Sequence, residues 1–162
     1  MRIAYIYIIG LLSPLSAFAQ NNGTSIQGNI NMPSLIQLDV NYPENLNIGF
    51  DNLEEFAKGK VYPNCINLAV KSNCPWVITV RSGNNDFAAA AKTTTTVPSS
   101  IISVKPSNTN EYVSVSTTPK PLLVSDNDNV INNYNLDLKM GTPWNAEGGK
   151  YDLNFIFSIS AQ

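Results

Sequence analysis

Few residues of this chain have the types and spacings that catalysis requires. The sequence contains no histidine, which excludes Ser-His-Asp and Cys-His nucleophilic catalysis, histidine-based zinc sites and histidine pH switches. Glu54 and Glu55 are adjacent, so their carboxylates diverge on a helix or a strand instead of forming an acid–base pair. Asp126 begins a sequence that starts like a calcium loop, but Ile131 stands where an EF-hand requires glycine, and an Asx-rich turn fits better. We expect no enzyme activity, no cofactor and no metal ion.

The two cysteines, Cys65 and Cys74, leave two alternatives open. An even number of cysteines in an exported protein favours a disulfide. The intervening residues, however, have a strand-like pattern that ends in a turn signal, which separates the cysteines by roughly 20 Å at ~3.3 Å per residue. A disulfide needs Cα atoms within about 7 Å of each other, so the local pattern argues against a bridge.

The two tryptophans have different expected roles. Trp76 is in phase with Ile78 and Val80, which predicts a position in the core. Trp144 falls in a turn-rich loop between two predicted strands. There it has two alternatives: to cover the open end of the fold, or to contact a sugar or a protein partner from an exposed position.

The N-terminus has the pattern of a secretory signal peptide. Arg2 precedes a short apolar stretch, and Ala17 and Ala19 form an A-x-A-like cleavage site before Gln20. We therefore predict a signal peptide over residues 1–19 and a mature chain exported to the periplasm, the cell surface or the medium. The apolar stretch is shorter than the roughly 20 residues of a membrane span, so no membrane insertion is expected after cleavage.

Beyond residue 20 the hydrophobic pattern has a period of two. Apolar residues alternate with polar ones around residues 36–42, 66–70, 76–80, 102–104, 113–115 and 134–140, with turn signals between them. This periodicity predicts an all-β fold, an immunoglobulin-like antiparallel β-sandwich formed as a single domain by residues 20–162. Only residues 53–58 and 87–92 could form a short helix. The net charge of −2 argues against nucleic acid as a partner, because a surface that binds nucleic acid is basic.

The last segment has the clearest alternation in the chain. Five apolar side chains are predicted to lie on one face of a C-terminal strand that contributes to the core or to assembly: Tyr151, Leu153, Phe155, Phe157 and Ile159.

Two stretches of sequence resemble a known kind of surface protein. The segment from Val70 contains Trp76-Val-Ile, and the segment from Gly149 contains Phe157-Ser-Ile. Together they resemble WxL-type domains of small secreted bacterial proteins, in which a Trp-x-Leu strand is followed by a second such motif near the C-terminus. Both motifs here differ in sequence from the Trp-x-Leu motif of the family. The resemblance implies a β-sandwich and a place at the cell surface.

The C-terminal segment is also similar to that of pilin-like subunits, whose final strand has Gly-x-Tyr followed by alternating apolar residues. This resemblance implies that residues 24–38 act as a donor strand. The Asn-rich composition is similar to that of exported proteins of the Bacteroidota.

Two functional hypotheses follow. The first is a non-catalytic structural or adhesive surface protein that assembles with itself or with other surface proteins by strand addition at a sheet edge. The second is a carbohydrate-binding module in which Trp144 and nearby Asn and Asp side chains contact a glycan.

Overall fold

A computed structural model describes residues 28–44, 46–87, 96–126, 131–152 and 154–162. The predicted signal peptide and Leu153 lie outside the described residues. The chain divides into two compact units, Met1–Met32 and Pro33–Gln162. Of the first unit, the described residues 28–32 are exposed and form neither helix nor strand.

The described part of the second unit consists mainly of strands. The elements, in chain order, are β1 (Ile36–Asn41), α1 (Leu53–Lys58), β2 (Lys60–Ser72), β3 (Trp76–Ser82), β4 (Asp86–Phe87), β5 (Val97–Pro98), a 3-10 turn (Ser99–Ile101), β6 (Ile102–Pro106), β7 (Val113–Ser114), β8 (Lys120–Ser125), β9 (Asn132–Met140) and β10 (Phe155–Ala161).

Two antiparallel sheets pack together and form the sandwich. One sheet has five strands in the order β1-β2-β9-β6-β7, and the other has three strands in the order β10-β3-β8. A separate ribbon pairs β4 with β5. Every strand pair among the described residues is antiparallel, so the predictions of an all-β fold and of an antiparallel sandwich are confirmed.

The core lies between the inner faces of the two sheets. The five-stranded sheet contributes alternate residues of β2, β6 and β9, and the three-stranded sheet contributes alternate residues of β3. Trp76 in β3 is 0% exposed, which confirms its predicted position in the core. Its ring meets Tyr134 of β9 edge-on, with 5.8 Å between the ring centroids.

The short helix α1 forms where the sequence provides both of its caps. The Asn52 side chain accepts a hydrogen bond from the Glu55 backbone N–H at 2.9 Å, which satisfies one of the free donors of the first turn. Acidic residues follow in that turn and Lys58 lies in the last turn, as the helix dipole favours. Gly59 ends the helix with a φ of 78°, a conformation that glycine adopts without steric cost.

A bulge interrupts the long strand β2 between Tyr62 and Ile66. Pro63 lies within it and Asn64 has a φ of 51°. A proline removes one ladder donor, so an internal strand tolerates it best at a bulge. The backbone N–H of Asn64 donates instead to Asp137 Oδ1 of β9 at 2.9 Å, which fixes the bulge against its neighbour.

Candidate functional site

Two edge strands lie next to each other on one side of the sandwich. β1 is the outer strand of the five-stranded sheet and β10 is the outer strand of the three-stranded sheet. Their Cα atoms approach within 8 Å, but no ladder joins them in the described part of the chain. On this side of the sandwich, therefore, no hydrogen-bonded ladder among the described residues connects the two sheets. We call it the open side.

The direction of the backbone groups on β10 follows from its hydrogen bonds to β3. The Gly83 N–H donates to the Asn154 carbonyl at 3.0 Å, and the Gln162 N–H donates to the Pro75 carbonyl at 3.1 Å. Antiparallel hydrogen bonding alternates along a strand, so even-numbered residues of β10 bond to β3. The odd-numbered residues, including Phe157 and Ile159, direct their N–H and C=O groups toward the open side.

The same alternation applies to β1. The Asn73 N–H donates to the Leu35 carbonyl at 3.2 Å, so odd-numbered residues of β1 bond to β2. Ile36, Leu38 and Val40 then direct their backbone groups away from β2. Both edge strands therefore direct backbone groups toward the same side of the sandwich, where no ladder with another described strand pairs them.

A groove lies beside the two edge strands. It has a volume of about 340 Å³. Its lining comes from β1, from the segment after β1, from β2, and from β10 with the residue before it: Val40, Tyr42, Glu44, Leu46, Ile66, Asn154, Phe155 and Phe157. Phe155 and Phe157 are partly buried against the core and also line the groove.

The C-terminal strand differs in extent from its prediction. The ladder of β10 begins at Phe155, whereas Tyr151 forms only an isolated bridge and Leu153 lies outside the described residues. Phe155, Phe157 and Ile159 pack against the core as partly buried side chains, and so does Tyr151. The Tyr151 hydroxyl also donates a hydrogen bond to the Glu147 carbonyl at 2.8 Å. This bond links Tyr151 to the preceding loop.

The predicted donor strand, residues 24–38, is only partly described. Residues 24–27 lie outside the described ranges. Ile36 and Leu38 belong to β1 and pair with Ser72 and Val70 of the same chain. The end of this segment is therefore already part of the fold.

Trp144 lies in the segment between β9 and β10. The Ala146 N–H donates to the Pro143 carbonyl at 2.9 Å, which closes a turn with Trp144 at its centre. The indole ring meets Phe56 of α1 edge-on, with ring centroids 5.0 Å apart and planes at 90°. Trp144 is nevertheless 63% exposed. This exposure is compatible with a contact to a sugar or a protein partner, and that contact stays a prediction.

A second cavity, of about 320 Å³, lies beside Trp144. It is lined by the indole, by short apolar side chains and by neutral polar ones: Thr96, Pro98, Ser100, Ile101, Thr142, Pro143, Asn145 and Ala146. No acidic or basic side chain lines this cavity among the described residues.

Cys65 and Cys74 are separate thiols. Cys65 lies in the β2 bulge, where burial raises the pKa of its thiol. Cys74 lies in the turn to β3, where Ser72 Oγ accepts a hydrogen bond from its backbone N–H at 3.1 Å. The extended part of β2 separates them, as the strand-like pattern predicted.

The described residues contain no group of three His, Cys, Asp or Glu side chains placed to hold a metal ion. Within the same ranges, no helix combines the length and the apolar character needed to cross a bilayer.

Sequence analysis identified some residues of the two sites and missed others. The groove residues of β1 were predicted as a strand, but which strand lies beside β1 depends on sheet order, for which a single sequence carries no local signal. Thr142 and Asn145 fall in the loop already singled out around Trp144. Thr96 and Ser100 join them from a distant segment that carries no motif.

Comparison with models of known protein families gives no match, and comparison with curated proteins gives none either. The resemblances to WxL-type and pilin-like domains therefore stay predictions from short motifs. The function has to be inferred from the open edge, the groove and the aromatic loop.

Proposed function

We propose that this chain is an exported, non-catalytic surface subunit, pilin-like in its assembly, that joins a second copy by strand addition at the open edge of β10. One observation carries the proposal. β10 is an edge strand with the sequence Phe-Ile-Phe-Ser-Ile-Ser-Ala, which contains no charged residue and no proline. Natural proteins protect exposed edges with such residues. An unprotected apolar edge next to a groove fits a strand that is used for pairing.

The order of the strands supports an immunoglobulin-like arrangement. In such domains strands A, B, E and D form one sheet, and strands C, F and G form the other. The order β1-β2-β9-β6 corresponds to A-B-E-D, and β3 beside β10 corresponds to C beside F. β8, on the other side of β3, has no counterpart among these seven strands. The G position then coincides with the open edge of β10, and an added strand would occupy it.

The energetics of strand addition suit this edge. An added strand provides backbone partners for the free N–H and C=O groups of β10, and its alternate side chains enter the groove. The backbone hydrogen bonds supply affinity, while the match of side chains to Phe155, Phe157 and Val40 sets the register. The predicted signal peptide implies export. Export would separate this edge from newly synthesised chains in the cytoplasm, with which it could otherwise pair.

Two neighbouring exposed residues of β10 provide a matched test. In Ala161→Pro the ring removes an N–H that faces the open edge, whereas in Ser160→Pro it removes an N–H that bonds to β3. We expect Ala161→Pro to reduce assembly while its thermal midpoint stays near that of the parent chain. Ser160→Pro should lower the midpoint because it breaks the ladder inside the sheet.

Size-exclusion chromatography and negative-stain microscopy of the chain from residue 20 onward, over a range of concentrations, measure assembly. The parent chain should form larger particles as its concentration rises. A parent chain that stays monomeric, or an Ala161→Pro variant that assembles equally well, would contradict the proposal.

A further inference from the structure

The loop around Trp144 combines three properties that the assembly edge does not explain. The indole is largely exposed, it is held in place by a closed turn and by Phe56, and it borders a cavity. A single exposed apolar side chain is ordinary on a protein surface. An indole that is both exposed and held in position beside a cavity is suited to binding. Because the side chain is already held in place, a ligand loses less free energy in ordering it.

The polar groups around the cavity point to the chemistry of the ligand. The side chains of Thr96, Ser100, Thr142 and Asn145 line it, and none of them makes a side-chain hydrogen bond to another described residue. Hydroxyl and amide groups both donate and accept hydrogen bonds. They match a ligand that carries several hydroxyl groups and no charge.

We infer that this cavity is a binding site for a neutral pyranose sugar, with the apolar face of the ring on Trp144 and its hydroxyl groups on the Thr, Ser and Asn side chains. The volume of about 320 Å³ lies at the lower end of the range for small-molecule sites, roughly 300–1,000 Å³. An apolar peptide side chain fits less well, because it would bury these polar groups without partners. Anionic sugars also fit less well, because no cationic side chain lines the cavity among the described residues.

The site is independent of the proposed assembly edge. The residues that line the cavity at Trp144 and those that line the groove of β1 and β10 do not overlap. A subunit with both would attach a polymer to a glycan, either on a cell surface or as free saccharide in the medium.

Tryptophan fluorescence tests the inference directly. Trp76 is fully buried and Trp144 is exposed, so iodide should quench Trp144 selectively. The full chain is titrated with glucose, galactose, mannose, N-acetylglucosamine and their short oligomers, and in a parallel arm with sialyl-lactose and a sulfated oligosaccharide. At least one neutral saccharide should protect Trp144 from iodide. Retention on immobilised polysaccharide, compared with free oligomers, then distinguishes a surface glycan from a soluble one.

Variants measured by calorimetry with the saccharide that binds best locate the site. Trp144→Ala should weaken binding about ten-fold or more, and Asn145→Ala about two- to ten-fold. Val124→Ala, which shortens another exposed apolar side chain outside the cavity, should leave affinity unchanged. Absence of binding by every neutral saccharide, binding of the anionic probes alone, or unchanged affinity in Trp144→Ala would each overturn the inference.

Discussion

Lys105 and Asp137 face each other across β6 and β9 and form an ion pair, with Lys105 Nζ 2.9 Å from Asp137 Oδ2. The two side chains are only 11% and 12% exposed. Ser107 Oγ donates to the same carboxylate at 2.6 Å, and the Asn64 backbone N–H donates to it from the β2 bulge at 2.9 Å. One carboxylate therefore joins three segments of the five-stranded sheet.

This arrangement predicts that the free energy of unfolding decreases at acidic pH. The Ser107 hydrogen bond, followed by the Lys105 and Asn64 contacts, lowers the pKa of Asp137 from 3.8 to about 2. A group whose pKa is lower in the folded state stabilises the fold above its unfolded pKa, and this contribution is lost as the pH falls through the folded value. Urea unfolding should therefore show the contribution declining between about pH 5 and pH 2.

Asp137→Asn isolates this effect. At pH 7 we expect it to lower the free energy of unfolding by about 1–3 kcal/mol, since it weakens hydrogen bonds to a charged group. The difference from the parent chain should shrink as the pH approaches 2. A difference that stays constant from pH 7 to pH 2 would show that Asp137 does not titrate in this way.

Truncation of the two tryptophans should change stability by very different amounts. Trp76→Ala removes a fully buried indole and should cost about 3–5 kcal/mol in urea unfolding. Trp144→Ala removes an exposed one and should change the free energy of unfolding by less than about 1 kcal/mol. Equal losses in the two variants would contradict the assignment of core and surface.

Gly59 should be intolerant of a side chain. Its φ is 78°, and a Cβ at this position would lie 2.7 Å from the Met140 backbone oxygen. We expect Gly59→Ala to lower the free energy of unfolding by about 1–3 kcal/mol, because both the left-handed conformation and the close backbone contact oppose it. Gly148→Ala is the matched control, since no atom lies within 4 Å of its added Cβ. Equal free energies of unfolding in the two variants would contradict the predicted intolerance at Gly59.

The cysteines should stay reduced even in oxidising solution. Thiol titration of the unfolded chain, after storage in air, should detect both Cys65 and Cys74 as free thiols. In the folded chain Cys65 should react with iodoacetamide more slowly than the unfolded chain does, because its raised pKa leaves less thiolate. Mass spectrometry that found an intramolecular bridge would require β2 to fold differently.

The sequence predicted those parts of the fold that depend on local pattern. The alternation around Trp76 identified β3, and the Leu53 to Lys58 segment formed the short helix expected there. β8 was missed because Lys120 is followed by proline and by two adjacent leucines, which hide the period. The irregular register of β8 opposite Ile78 and Thr79 accounts for the broken pattern.

Neither candidate site could be assembled from the sequence, because both depend on which distant segments become neighbours. Val40 and Phe157 line one groove although more than half of the chain separates them. Ser100 and Trp144 both line the other cavity although they lie 44 positions apart in the sequence. Sheet order brings such residues together, and it is determined by the packing of the whole sandwich.

Amide hydrogen exchange along β10, resolved by residue, tests the assembly account most directly. It is measured by NMR for the dilute chain, and by quenched exchange for the concentrated, assembled form. In the dilute chain Ile156 and Ser158 should be protected by β3, while Phe157 and Ile159 should exchange quickly. Assembly should protect Phe157 and Ile159 as well. If these two amides are already protected in the dilute chain, or stay unprotected in the assembled particles, β10 does not receive an added strand.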